Sequence, residues 1–293
     1  YMYKTSIITD EVSQDLKVAA ELAVRYGLDA VEIRSVNERN PFQMDRQDFQ
    51  SIKEIVDAHG LHVCAIGSPL FKCDLDDEAA CEQHLEGLKR CVEAAHLWNT
   101  KLIRAFTFWS KKGETPCWEK IEEKMRQAIA IAEDGGVCLA IESEPSVNTG
   151  NIKTLVDFLK AIDSPSLGAM WDPGNEIADP LAPPPYPDGY RLVKPFIKHV
   201  HLKDLKHTDS GEFLCPALLG EGDVDFMGLL RQLKLDGYDG YVSVETHYRL
   251  KPQQMDDALL MQPQGSSFSE GGYEASVVYL DRLRDVYHWQ EEA

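Results

Sequence analysis

A chain of 293 residues with 43% hydrophobic and 27% charged residues has the composition of a globular protein with a substantial core, and none of it reads as disordered. Its formal net charge of −19 repels polyanions and anionic membranes, which argues against nucleic acid or a membrane as partner and for a small neutral or metal-chelated molecule. No run approaches the ~18 uninterrupted apolar residues of a membrane span and no leader pattern is visible, while seven scattered cysteines without a CxxC pair read as reduced thiols of a cytoplasmic protein.

Short β-rich runs alternate with amphipathic segments along the whole chain, the pattern of βαβ units around a parallel sheet. The first strand is predicted at Lys4–Thr9 and runs into TDEVSQDL (Thr9–Leu16). The second, Ala30–Arg34, follows Tyr26-Gly27, and the third, Leu61–Ile66, follows His59-Gly60. Such glycines suit the left-handed position that closes a helix. Cys81, Leu85, Leu88, Val92 and Ala95 recur at steps of three or four and predict a helix over Glu78–Trp98. Further strands are predicted at Leu102–Phe106, at Val137–Glu142 after Gly135-Gly136, and at Leu167–Asp172. Ile197–Lys203 and Gly240–Glu245 complete eight.

Two segments break the rhythm: the proline-rich Pro180–Tyr190, and Gln262–Gly272, rich in Gly, Ser and Gln. Each follows a strand whose end carries a metal-capable residue, so each is expected as a rim or lid loop. Val277, Leu280, Leu283 and Val286 mark a last helix. The expected fold is α/β: a single-domain (β/α)8 TIM barrel over residues 2–293, with Tyr1 set aside and extended loops at the C-terminal face.

Four strand ends carry metal-capable side chains: Glu142 in IESE, Asp172 in MWDPGN, His201 in KHVHLKD and Glu245 in YVSVETH. They are spaced 30, 29 and 44 residues apart, which suits successive strand-plus-helix units of one barrel. Three carboxylates gathered in a largely dry mouth repel one another unless a cation or protons compensate, and a divalent metal is the economical answer. Side-chain alternation puts Glu142 and Glu144 on one face of an extended chain, and likewise His199 and His201, so the pattern alone leaves both pairs open.

WDPGN (Trp171–Asn175) and HVHLKD (His199–Asp204), within a likeness running from Thr9–Leu16 to the last strand, resemble the sugar phosphate isomerase/epimerase family of xylose-isomerase-like TIM barrels. That resemblance implies one divalent cation held by Glu142, Asp172, His201 and Glu245. This oxygen-rich set suits manganese first, with magnesium, cobalt or zinc as alternatives. It implies a metal-dependent sugar isomerase/epimerase in which Glu142 and Glu245 act as catalytic bases on a sugar or cyclitol, through a metal-stabilised enediolate. Dehydration of an inosose or related keto-polyol is the alternative on the same site. A non-enzymatic polyol-binding barrel and an endonuclease IV-like hydrolase follow. The hydrolase needs further histidines where this chain offers Arg34, Gly67 and Asn175.

Arg34, His62, Arg104, Glu144, Asn175 and Lys203 are the expected substrate-binding residues, with Glu32 a further polar strand residue and Phe71, Phe108 and Trp109 an apolar lining. Asn175 stands where the family's ketose 3-epimerases have a histidine. No Gly-rich phosphate cradle is visible, so the expected substrate is unphosphorylated. A homo-oligomer is compatible with all of this.

Overall fold

The computed structural model describes residues 2–179, 182–208, 214–250 and 271–291. Eight parallel strands form a closed barrel: β1 (Lys4–Ile8), β2 (Ala30–Ile33), β3 (Val63–Leu70), β4 (Leu102–Ala105), β5 (Cys138–Glu142), β6 (Leu167–Trp171), β7 (Ile197–Leu202) and β8 (Tyr241–Val244). Closure is made by β1 pairing with both β2 and β8. Ten α-helices are described: α1 (Thr9–Val12), α2 (Leu16–Arg25), α3 (Arg46–Ala58), α4 (Glu78–Trp98), α5 (Trp118–Asp134), α6 (Ile152–Ile162), α7 (Pro173–Glu176), α8 (Tyr190–Val193), α9 (Phe226–Leu235) and α10 (Gly272–Asp285).

Local chemistry sets the helix ends. Side-chain oxygens of Asp15, Asp45, Asp77, Asn151 and Asp225 accept the first backbone N–H groups of α2, α3, α4, α6 and α9. Gly60 and Gly136, with φ of +68° and +64°, turn the chain out of α3 and α5 toward the next strand. The main core lies between barrel and helices, where Cys81, Leu88, Cys91, Ala94 and Trp98 of α4 are buried. Of the last helix's predicted stripe, Leu280 and Leu283 are buried, but Val286 lies beyond its end and is 47% exposed.

Inside the barrel, Ala30, Cys64, Ala65, Ala140 and Met170 form a small apolar cluster with Leu102 and Tyr241 packed against it. Counting on by two from this cluster gives Glu32, Arg104, Glu142 and Asp172, so period-two alternation carries charged side chains to the next inward-facing layer.

The third strand differs from expectation, running to Leu70 rather than ending at Ile66, with a register shift between those residues. The proline-rich segment differs more. From residue 182 it leads through a turn at Pro185–Gly189 into α8, and Tyr190 Oη and Lys194 Nζ reach Asp236, just past the end of α9, at 2.8 and 2.9 Å. In a βα unit the helix ends near the N-terminal face, so α8 descends the outer wall as part of the β6–β7 crossover, while Pro185–Gly189 stays at the rim, beside Ile152 and Gly228 in the first turns of α6 and α9. Burial of the α8 aromatic side chain explains the route: the buried Tyr190 ring packs 5.6 Å from that of Trp171, tilted by 34°. An extended loop at the C-terminal face follows β7, where Leu205–His207 pairs antiparallel with Leu214–Pro216. Within Gln262–Gly272, residues 262–270 lie outside the described residues.

Candidate metal centre

Glu142 closes β5, Asp172 follows β6, His201 lies near the end of β7 and Glu245 follows β8. Each is 2% exposed or less, and one donor atom from each lies within 4.8 Å of all the others. The Asp172 turn depends on close packing: Asp172 Oδ1 accepts the Gly174 N–H at 2.8 Å, and a methyl group at Gly174 would come within 2.1 Å of the Lys203 carbonyl oxygen.

Three side-chain cations face these carboxylates. Arg104 Nη1 is 3.0 Å from Glu142 Oε2, Lys203 Nζ is 2.6 Å from Asp172 Oδ2 and 2.9 Å from Glu245 Oε2, and Arg34 Nη1 is 2.7 Å from Glu245 Oε1. Burial alone raises a carboxyl pKa, but Arg104 and His201 overturn that for Glu142 and hold it down at about 2. Burial likewise opposes ionisation of Glu245, yet Lys203, His247, His201 and Arg34 keep it well below the usual range. Asp172 moves the other way, up to about 7, because burial and the charges of Glu245 and Glu142 outweigh Lys203. The charge compensation that spacing assigns to a metal alone is thus shared here with Arg34, Arg104 and Lys203.

The donor set still fits a divalent ion. His201 Nδ1 is buried without a hydrogen-bond partner, 3.5 Å from Glu142 Oε1 and 3.7 Å from Glu245 Oε2. Asp172 Oδ2 has the Lys203 ammonium beside it but no aligned hydrogen bond. An imidazole nitrogen and three carboxylates turned toward one another form an oxygen-rich ligand set with an imidazole partner.

The remaining expected residues divide. Arg34, Arg104, Asn175 and Lys203 are drawn to the same mouth, each bonded to a carboxylate of the four-residue cluster. Asn175 Nδ2 lies 3.3 Å from Glu142 Oε1 and 3.0 Å from the Ser143 carbonyl. Glu144 turns aside to Lys72 at 2.7 Å and to Ser146, and does not join the four. Lys72 also sits 4.8 Å above the ring of Phe106. His62 is a correction. It precedes β3, is exposed, and hydrogen-bonds Tyr241 at the start of β8, so parallel strands put it at the opposite end of the barrel from Glu142 and Glu245.

Sequence reasoning missed Asp10 and Glu11, both fully buried in α1 after β1. Asp10 holds Arg34 Nε at 3.0 Å, and Glu11 holds Arg34 Nη2 at 2.6 Å and the His247 N–H at 3.0 Å. The rule that singled out Glu142, Asp172 and Glu245, an acidic group at a strand end, would have found them too. His199 and Glu32 lie deeper, fully buried and bonded to each other at 2.9 Å.

The profile of the xylose isomerase-like TIM barrel family matches residues 20–264, and the chain belongs to that family. An uncharacterized protein of Methanocaldococcus jannaschii is 30% identical over 126 residues, and the match spans 41% of this chain and 41% of that relative. Among solved structures, the IolI protein with a bound zinc atom superposes with a TM-score of 0.72 at 19% identity, covering 97% of this chain and 98% of that one. The probable 3-DHS dehydratase AsbF of Bacillus anthracis gives 0.71 at 16% identity, over 97% and 99%. A D-allulose 3-epimerase from Methylomonas sp. gives 0.68 at 16% identity, over 96% and 98%. At these identities the likeness speaks to the fold. No helix among the described residues is long and apolar enough to cross a membrane.

Proposed function

We propose that this protein is a divalent-metal-dependent isomerase or epimerase of an unphosphorylated sugar or cyclitol. The observation that carries the reading is the convergence of Glu142, Asp172, His201 and Glu245 on one point. A divalent ion bound there, manganese in the first instance, would supply Lewis acidity to polarise a carbonyl and acidify the neighbouring C–H.

The chain's own residues then do the proton work. Glu142 and Glu245 flank His201 and are both held ionised, so either can accept a proton from the carbon beside the carbonyl. Arg104 and Arg34 hold their oxygens in place. Return of the proton to the opposite face gives epimerisation, and return to the adjacent carbon gives isomerisation. Loss of a β-hydroxyl gives dehydration, the second reading, which AsbF supports as a dehydratase by description on the same fold.

The test is exchange of substrate C–H for deuterium in D2O across a panel of ketoses and inososes, with and without added Mn2+. Metal-dependent exchange that Glu245→Ala abolishes in a folded protein supports the proposal. Full exchange in that variant refutes the role of Glu245, and an absorbing enone product with loss of water selects dehydration.

A further inference from the structure

The ligand imidazole has two nitrogens, and only one can face the ion. His201 Nδ1 faces Glu142 and Glu245, whereas its Nε2 points down into the barrel to Glu32, 3.2 and 3.1 Å from the two carboxylate oxygens. Glu32 is fully buried, and its Oε2 also meets His199 Nε2 at 2.9 Å. Two imidazoles thus converge on one carboxylate, all three at 0% exposure. An ionised carboxylate only accepts hydrogen bonds, so each facing nitrogen must carry the proton it donates. A proton on His201 Nε2 leaves the Nδ1 lone pair for the ion, so the tautomer is set from below.

The geometry points to Glu32 as a positioning residue for the metal centre: through the Nε2–H···Oε contact it fixes the ring orientation and tautomer that turn His201 Nδ1 into a ligand. It never touches substrate. His199 shares the load, because its own N–H to Glu32 holds the carboxylate in place under His201. An outer partner of this kind changes metal affinity by about 10–100-fold when removed.

This inference rests on the metal reading of the four-residue cluster, and its test separates the two. Mn2+ affinity is measured by calorimetry on the full chain for the native protein, Glu32→Gln and Glu32→Asp, with circular dichroism as the check on folding. Glutamine keeps the volume but is neutral and has one accepting oxygen where glutamate has two, so it no longer holds both imidazole N–H groups as the carboxylate does, and its affinity is expected to fall about 10–100-fold. Aspartate keeps the charge on a shorter stem and should fall less, which a purely volume-filling role does not predict.

The second readout is spectroscopic. In the Zn2+-loaded native protein, His201 should show a protonated Nε2 with a far-downfield proton, and that signal should be lost in Glu32→Gln. Unchanged affinity and an unchanged imidazole signature in folded Glu32→Gln overturn the role of Glu32 while the metal site stands. A second ion per chain that His199→Phe removes would also overturn it, by making Glu32 and the two histidines ligands in their own right. If the native protein binds no divalent ion, the metal reading itself fails.

Discussion

The three carboxylates in the mouth share three cations, Arg104 on Glu142, Arg34 on Glu245 and Lys203 between Asp172 and Glu245, and their environments part sharply: Glu142 and Glu245 are pressed toward the charged form, while Asp172 is pushed toward the neutral one. The same contrast appears at Glu176, at the end of α7. It is 1% exposed, and it accepts the Ile152 N–H at 2.6 Å and the Ser143 hydroxyl. Burial raises its pKa to about 8, with Asp172 and Asp179 adding to the effect against those two donors. The folded protein therefore keeps a proton that the unfolded chain releases near its ordinary value of 4.5. Between those values the native state binds more protons, so stability falls as pH rises through the window, at up to about 1.4 kcal/mol per pH unit for this group. Glu176→Gln should flatten that part of the profile in urea denaturation at pH 5, 6.5 and 8. Parallel falls in both proteins would show that Glu176 does not carry the proton. None of this was legible from EIA in the sequence, because burial by a distant turn leaves no local pattern.

Elements place these residues, and some contacts leave no room for change. The first turn of α10 lies against α1, and a methyl group at Gly272 would come within 2.0 Å of the Glu11 carbonyl oxygen. Gly272→Ala should therefore cost about 1–3 kcal/mol of overpacking strain in denaturant unfolding. It should also weaken Mn2+ binding, because Glu11 orients Arg34 and Arg34 meets Glu245. A loss under about 0.5 kcal/mol, the scale of an ordinary surface substitution, would mean that α1 and α10 yield easily.

What the sequence shows at this scale is uneven for physical reasons. Strand ends and helix periods are local, so all eight strands and the α4 helix were readable. The β6–β7 crossover was not, since prolines signal a turn without saying whether Tyr186 and Tyr190 find burial above the mouth or down the wall. His62 failed for a related reason: a polar residue near a strand reads the same at either end until the strand's limits are known.

At the scale of the whole molecule, the barrel gathers charge from β2, β4, β5, β6, β7 and β8 into one interior, which no single motif displays. The cluster of Glu142, Asp172, His201 and Glu245 was legible because each lies at or next to a strand end. The network beneath and around them, Glu32 with His199 and Arg34 with Asp10 and Glu11, depends on closure of β1 against β8 and on the register that stacks successive inward layers. That closure couples ion binding to global stability. An ion held at 100 times its dissociation constant stabilises the native state by about 2.7 kcal/mol, or about 4 °C in Tm for a chain of this size. Lys203→Met sharpens the comparison, because it removes the ammonium between Asp172 and Glu245. The EDTA-treated variant should melt below the EDTA-treated native protein, as buried Asp172 loses its cation and Glu245 is left with Arg34 alone. Saturating Mn2+ should then raise the Tm of the variant by more than it raises that of the native protein, since the ion restores the missing positive charge. Thermal melts of both proteins with EDTA, Mn2+, Mg2+, Co2+ and Zn2+ decide the matter. A Tm unmoved by all four ions in both proteins would leave Lys203, Arg34 and Arg104 as the cations of a purely organic site.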